Sequence, residues 1–124
     1  MASHNELGKW GEEIVREYLI INGYTIIKHD TREGHFEVDF IVMKGDRIIF
    51  IEVKTRTTDF VDPIKAITPQ KIKRICTAAN SYVQRYNIPH EVQFDIITVI
   101  GSPDGTHELR HIPDAFRPPL RGYK

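Results

Sequence analysis

The sequence predicts an α/β domain: a central mixed β-sheet flanked by helices, in the order α-β-β-β-α-β-β. Three observations carry this. Apolar residues return at helical spacing in two segments, one near the start of the chain and one past its middle. Two alternating apolar segments flank Gly45-Asp46, a two-residue hairpin signal. A nearly continuous apolar run, VQFDIITVI, reads as a buried strand. The 124 residues, 40% hydrophobic and 27% charged, suit one globular domain. We place that domain at residues 1–112, followed by a loosely ordered tail over 113–124 that holds Pro118-Pro119 and basic residues.

The first helix is expected from Asn5 to Ile21, with Leu7, Gly11, Ile14, Tyr18 and Ile21 on one stripe and Asn22-Gly23 as its stop. Tyr24 to Lys28 reads as a short strand and Asp30 to Gly34 as a polar connection. The hairpin strands are Phe36 to Met43 and Arg47 to Thr55, and Arg56 to Ile67 is a loop. Thr68 is suited to cap a second helix, with Pro69 in its first helical position. Ile72, Ile75, Cys76, Ala79, Tyr82, Val83 and Tyr86 form that helix's apolar stripe, and Asn87 and Pro89 end it. Glu91 to Ile100 is the buried strand, and Thr106 to Ile112 an edge strand.

The single cysteine excludes an intramolecular disulfide and a cysteine-based zinc site. The N-terminus lacks the apolar core of a secretory signal, and no apolar run is long enough to span a membrane. The expectation is a cytoplasmic protein without a membrane partner. Cys76, Trp10, Tyr18 and Tyr82 read as packing residues. Asp95, interrupting an apolar strand, reads as buried and hydrogen-bonded. His107 and His111 share a strand face without tight ligand spacing, and read as solvated or hydrogen-bonded.

Lys+Arg and Asp+Glu both number 17, so net charge does not announce a nucleic-acid partner. The distribution is less even. Residues 54–85 carry 7 basic and 2 acidic side chains, whereas residues 1–53 carry 6 basic and 10 acidic. The basic set is Lys54, Arg56, Lys65, Lys71, Lys73, Arg74 and Arg85. It reads either as a solvated helix face or as a phosphate-contacting surface.

With Gly45-Asp46 as the hairpin loop, Lys44 opposes Arg47, Met43 opposes Ile48, Ile41 opposes Phe50, Asp39 opposes Glu52 and Glu37 opposes Lys54. Alternation puts the eight residues of the last four pairs, from Met43 and Ile48 to Glu37 and Lys54, on one face. Val38, Phe40, Val42, Ile49, Ile51 and Val53 line the other. Directly opposed carboxylates repel, so Asp39 and Glu52 need a positive partner. A divalent cation would supply it. A salt-bridged patch, with Lys54 neutralising Glu37 and Glu52, would do so as well. A β-bulge would break this register. On the first helix, Glu12 falls on the shoulder of the buried stripe beside Val15 and Leu19, and Glu13 points farther away.

The runs Phe36-Glu37-Val38-Asp39-Phe40-Ile41 and Phe50-Ile51-Glu52-Val53-Lys54-Thr55-Arg56 resemble the PD-(D/E)xK nuclease signature. More narrowly, the chain resembles the YraN-like family of predicted endonucleases, distantly similar to archaeal Holliday junction resolvases. The resemblance extends from about Gly8 to Val99. It includes Gly8-Lys9-Trp10-Gly11-Glu12-Glu13, Gly23-Tyr24, the Lys71 helix, Phe94-Asp95, and Asp30-Thr31-Arg32 where the family usually has Asn-x-Arg. Phe36 stands where the family usually has Gly.

The resemblance implies a restriction-endonuclease-like fold and Mg²⁺- or Mn²⁺-dependent hydrolysis of DNA phosphodiesters, with branched or junction DNA as one substrate. Asp39 and Glu52 would be metal ligands, Lys54 the catalytic lysine, Glu12 the helix carboxylate that approaches the site, and Glu37 a supporting residue. Gln70 resembles the glutamine that follows the signature in resolvases. Arg56, Lys65, Lys71, Lys73 and Arg74 would contact phosphates, and the resolvase likeness suggests a homodimer. The competing expectation is a nucleic-acid-binding module that keeps a nuclease-like site without cutting. A third is a partner-binding domain with no affinity for metal or DNA.

Overall fold

Among the described residues, five strands form one mixed sheet in sequential order: β1 (Thr25–Glu33), β2 (Phe36–Lys44), β3 (Arg47–Arg56), β4 (Glu91–Gly101) and β5 (His107–Ile112). Neighbouring strands run antiparallel except β3 and β4, which are parallel. A parallel pair needs a crossover, and α2 (Pro69–Arg85) supplies it; α1 (His4–Ile21) precedes the sheet. The computed structural model describes residues 4–33, 36–58, 65 and 67–118. No helix of the described residues is long and apolar enough to cross a membrane. The architecture is α/β in the expected element order, consistent with a restriction-endonuclease-like fold.

The two helices cover opposite faces of the sheet. Val15 and Leu19 of α1 pack on Phe40, Val42, Ile49, Ile51, Ile97 and Val99. Ile75, Cys76, Ala79 and Tyr82 of α2 pack on Ile41, Ile48, Phe50 and Phe94. The packing roles expected for Cys76 and Tyr82 are therefore met, while Trp10 and Tyr18 flank the α1-side core. Both helices close with the same hydrogen-bond pair. Tyr24 N–H donates to Leu19 O and Gly23 N–H to Ile20 O; Ile88 N–H donates to Val83 O and Asn87 N–H to Gln84 O. Gly23 (φ 83°) and Asn87 (φ 49°) occupy the left-handed position that this cap requires. At the start of α2, the Thr68 side chain accepts from the Lys71 N–H at 3.1 Å.

β1 is longer than the sequence suggests. Its polar second half stays in the ladder, with Thr31 opposite Val38, Arg32 opposite Glu37 and Glu33 opposite Phe36. An edge strand held by backbone bonds needs no apolar pattern, which is why this stretch reads as a connection. Positions 34–35 of that connection, and positions 59–64 and 66 of the following loop, lie outside the described residues.

Asp95 is fully buried and bonded on both oxygens. Oδ1 accepts from Gln93 Nε2 and from the Asp114 N–H, each at 2.9 Å. Oδ2 lies 2.7 Å from His111 Nε2, and His111 Nδ1 lies 2.7 Å from the Tyr18 hydroxyl. This chain ties α1, β4, β5 and the segment after β5 together. His107 sits edge-on to Trp10, with ring centroids 5.6 Å apart. The segment after β5, expected to be loosely ordered, is pinned where it begins: Ala115 N–H donates to Phe94 O at 2.7 Å, and Phe116 stacks on Phe94. Positions 119–124 lie outside the described residues.

Candidate metal centre

The hairpin register holds from Lys44 opposite Arg47 to Phe40 opposite Ile51, with only Gly45 at positive φ (60°) in the turn. There the β2–β3 ladder ends. Val38 does not join Phe40 and Val42 on the α1 side; it packs with Ile41, Ile48 and Phe50 on the α2 side. The alternation therefore breaks around Asp39. Asp39 and Glu52 are not the ladder pair expected, and Glu37 does not oppose Lys54. Glu37 lies opposite Arg32 of β1 instead. The strands fork at this level, and the Asp39 carboxylate fills the fork, its Oδ2 accepting from the Val53 N–H at 2.8 Å.

A carboxylate in the fork is reached from both faces of the sheet. From the α1 side comes Glu12. From β1 comes Asp30, opposite Asp39 in the β1–β2 count and at φ 50° rather than extended. One oxygen from each of Glu12, Asp30 and Asp39 lies within 4.8 Å of the others. From the α2 side comes Glu52, in side-chain contact with Asp39. Its side chain is only 5% exposed, and its Oε2 receives Lys71 Nζ at 3.0 Å and Lys54 Nζ at 3.5 Å.

The electrostatics follow from this crowding. Burial raises the Asp39 carboxyl to about 8; the neighbouring Glu52 charge adds to the rise, and the Val53 N–H opposes it. Burial raises Glu12 to about 7, helped by a hydrogen bond and a like charge from Asp30. Four carboxylates face two ammonium groups, which leaves two negative charges when all are ionised. Oxygen-only donors with this excess charge fit a hard divalent cation, Mg²⁺ or Mn²⁺, better than zinc or copper.

Of the residues expected at the site, Glu12, Asp39, Glu52 and Lys54 come together, and Lys71 joins them as a direct partner of Glu52. Gln70 is exposed in the first turn of α2, and none of the site contacts described above involves it. Arg56, Lys65, Lys73 and Arg74 are exposed. Asp30 is the carboxylate that reasoning on the hairpin alone missed. Its signal is the Asp30-Thr31-Arg32 triplet, which marks a position on β1 rather than a role.

Glu12 reaches the fork because α1 lies unusually close to β3. An added Cβ at Gly11 would collide with Thr55 Oγ1 and come within 2.9 Å of its Cγ2. Gly11→Ala should therefore wedge α1 from the sheet. Alanine favours a helix by about 1 kcal/mol, but overpacking of this kind costs about 1–3 kcal/mol. Chemical denaturation should show a net loss, and Mn²⁺ titration a weaker site. Unchanged stability and affinity would mean that the contact relaxes at no cost.

A cleft of about 430 Å³ adjoins Glu12 between the start of α1 and the end of β3, lined by Asn5, Lys9, Val53, Thr55 and Arg56 among others. It carries two cationic side chains beside the acidic cluster.

Residues 11–99 match the model of the uncharacterised protein family UPF0102. A UPF0102 protein of Bacteroides fragilis is 48% identical over 121 residues, covering 97% of this chain and 99% of the relative. One from Bacteroides thetaiotaomicron is 46% identical over the same length and shares. One from Syntrophomonas wolfei is 38% identical over 117 residues, covering 91% of this chain and 99% of the relative. A match running from Gly11 to Val99 takes in Glu12, Asp30, Asp39, Glu52, Lys54 and Lys71, and the chain belongs to this family, the YraN-like family UPF0102.

Proposed function

We propose that this protein is a Mg²⁺- or Mn²⁺-dependent endonuclease that hydrolyses phosphodiester bonds of DNA. The observation that carries this reading is the acidic cluster at the strand fork, with Lys54 set against its most buried member. Asp39, with Glu52 on one side and Glu12 and Asp30 on the other, would hold the cation. When bound, such an ion polarises a phosphoryl oxygen and lowers the pKa of a water.

The chain's own groups do the rest. Lys54, 19% exposed and held against Glu52, offers its ammonium to the charge that develops on the phosphoryl oxygens. Glu12, on the α1 side of the cluster within 4.8 Å of Asp30 and Asp39 oxygens, is placed to orient the attacking water or share the cation. Arg56, Lys65, Lys73 and Arg74 stand exposed, where they can meet backbone phosphates; such contacts position DNA without reading its sequence. Lys9 and Arg56 extend this positive surface to the α1 side, along the cleft beside Glu12. The distant resolvase likeness makes branched or junction DNA the first substrate to try.

The test is cleavage of labelled four-way, flap, linear and single-stranded DNA with Mg²⁺ or Mn²⁺, against the same mixtures in EDTA. Metal-dependent cutting is expected. Tight binding without cutting would favour the binding module over the enzyme, and neither binding nor cutting would remove both. The basic surface has its own test. Lys73→Ala with Arg74→Ala should weaken binding and reduce the slope of log K against log salt by about two. An unchanged slope would make these residues a solvated helix face.

A further inference from the structure

Glu52 carries two ammonium groups on one oxygen, and the two are held differently. Lys54 follows Glu52 by two residues on β3, and its side chain is 19% exposed. Lys71 comes from the first turn of α2, across the site, and its side chain is 44% exposed while Glu52 is 5% exposed. The carboxylate is thus the enclosed partner and Lys71 the more exposed one, on a stem with four rotatable bonds. The α2 backbone at this point is held independently, by the Lys71 N–H bond to the Thr68 side chain. Moving the lysine head therefore need not disturb the helix.

The ion pair has a clear purpose in the metal-free protein, because a buried carboxylate without a partner is costly. Lys71 Nζ sits 3.0 Å from Glu52 Oε2, and a Mg²⁺ ligand oxygen lies about 2.0–2.1 Å from its ion. An ammonium and a divalent cation on the same oxygen would face each other at a few ångströms, with strong repulsion.

We infer that Lys71 and the divalent cation are alternative partners of the Glu52 carboxylate, so that cation binding releases Lys71 to a DNA phosphate. This rests on the nuclease reading of the same site and adds a coupling to it. The released ammonium stands on the helix turn that also carries Lys73 and Arg74, both exposed. Metal and DNA then bind cooperatively, and by linkage each raises the affinity for the other by the same factor. Lys71 is on this account a positioning residue that gates the metal site, rather than one more member of a passive basic patch.

The experiment uses the full chain. Mn²⁺ binding is measured by calorimetry in wild type, Lys71→Met, Lys73→Met and Glu52→Gln. The affinity of a labelled four-way junction is measured by anisotropy in EDTA and in Ca²⁺, with the DNA checked on a gel to be intact. Lys71→Met should bind Mn²⁺ about tenfold tighter than wild type, equivalent to about 1.4 kcal/mol. Lys73→Met, which removes an equal charge from the same turn, should change it much less. Ca²⁺ should raise junction affinity in wild type by about 5–150-fold, the usual range of such couplings, and in Lys71→Met that factor should shrink to the part due to direct cation–phosphate contact. Lys71→Arg, which restores the charge, should recover part of it.

If wild type binds Mn²⁺ through Glu52 but Lys71→Met matches it in both measurements, the exchange is overturned and the nuclease reading survives. A gain in Lys73→Met equal to that in Lys71→Met would also overturn the exchange, leaving only long-range electrostatics. Wild type that binds no Mn²⁺ would overturn both.

Discussion

Glu52→Ala is expected to reduce metal-dependent DNA cleavage by on the order of 10³-fold or more, which corresponds to about 4 kcal/mol of transition-state stabilisation. The fold should survive. Glu52 is buried, but its two cationic partners are partly exposed, Lys71 at 44% and Lys54 at 19%. The change also removes the like charge that helps to raise Asp39. Loss of cutting should therefore come with near-native circular dichroism and cooperative unfolding. DNA binding in EDTA should persist or tighten, because a negative charge has left the site and Lys71 is free. A variant that still cuts at the wild-type rate would remove Glu52 from the metal centre. A variant that unfolds would shift the test to Glu52→Gln, which keeps the shape and loses the charge.

Asp39→Asn is expected to raise the thermal stability of the metal-free protein at pH 8.5 and to abolish its response to Mg²⁺. The folded protein holds the Asp39 proton up to about pH 8, far above the ordinary aspartate range. A carboxyl whose folded pKa is raised contributes its full stability below the unfolded pKa. That contribution falls away as pH rises through the window up to about 8. Wild type should thus lose stability between about pH 5 and 8.5, with Glu12, raised to about 7, contributing to the same trend. Asparagine has no such proton to lose and still offers an oxygen to the Val53 N–H. Removing a buried charge crowded by Glu52 and Glu12 stabilises by about 1–2 kcal/mol, and for a domain of this size that raises Tm by about 3–8 °C.

Mg²⁺ works in the opposite direction, since it binds the deprotonated carboxylates. Its stabilisation of wild type should grow with pH over the same window. Scanning calorimetry from pH 5 to 9, with and without Mg²⁺, checks both halves. An Asp39→Asn protein whose Tm falls with pH as wild type's does would show that Asp39 is not the group that titrates. A variant that still gains stability from Mg²⁺ would place the cation elsewhere.

Much of this molecule is legible along the chain because the information is local. Helical spacing marks α1 and α2, Thr68-Pro69 marks where α2 begins, and Gly45-Asp46 sets the hairpin register as far as Phe40 and Ile51. These depend on backbone geometry and on which face of one element is apolar, and both are visible within a few residues. The same count brings Asp39, Glu52 and Lys54 to one end of the hairpin, although the facing pair it expects does not form, and helix periodicity puts Glu12 on the shoulder of the buried stripe.

The tertiary structure decided what no count along one element can reach. The fork at Asp39 arises where β2 stops pairing with β3, and it turns an expected facing pair into a carboxylate reached from both sides of the sheet. Asp30 enters only because β1 lies beside β2 and its backbone turns to φ 50° there. The Lys71–Glu52 ion pair exists because α2 returns across the sheet with its first turn over the site. Likewise His111 finds Asp95 and Tyr18 from two other elements. Charge and hydrogen bonding act over a few ångströms of space, whatever the separation in sequence. Residue types therefore announced an acidic cluster near the hairpin, and the packing of β1 and the two helices chose which side chains share it.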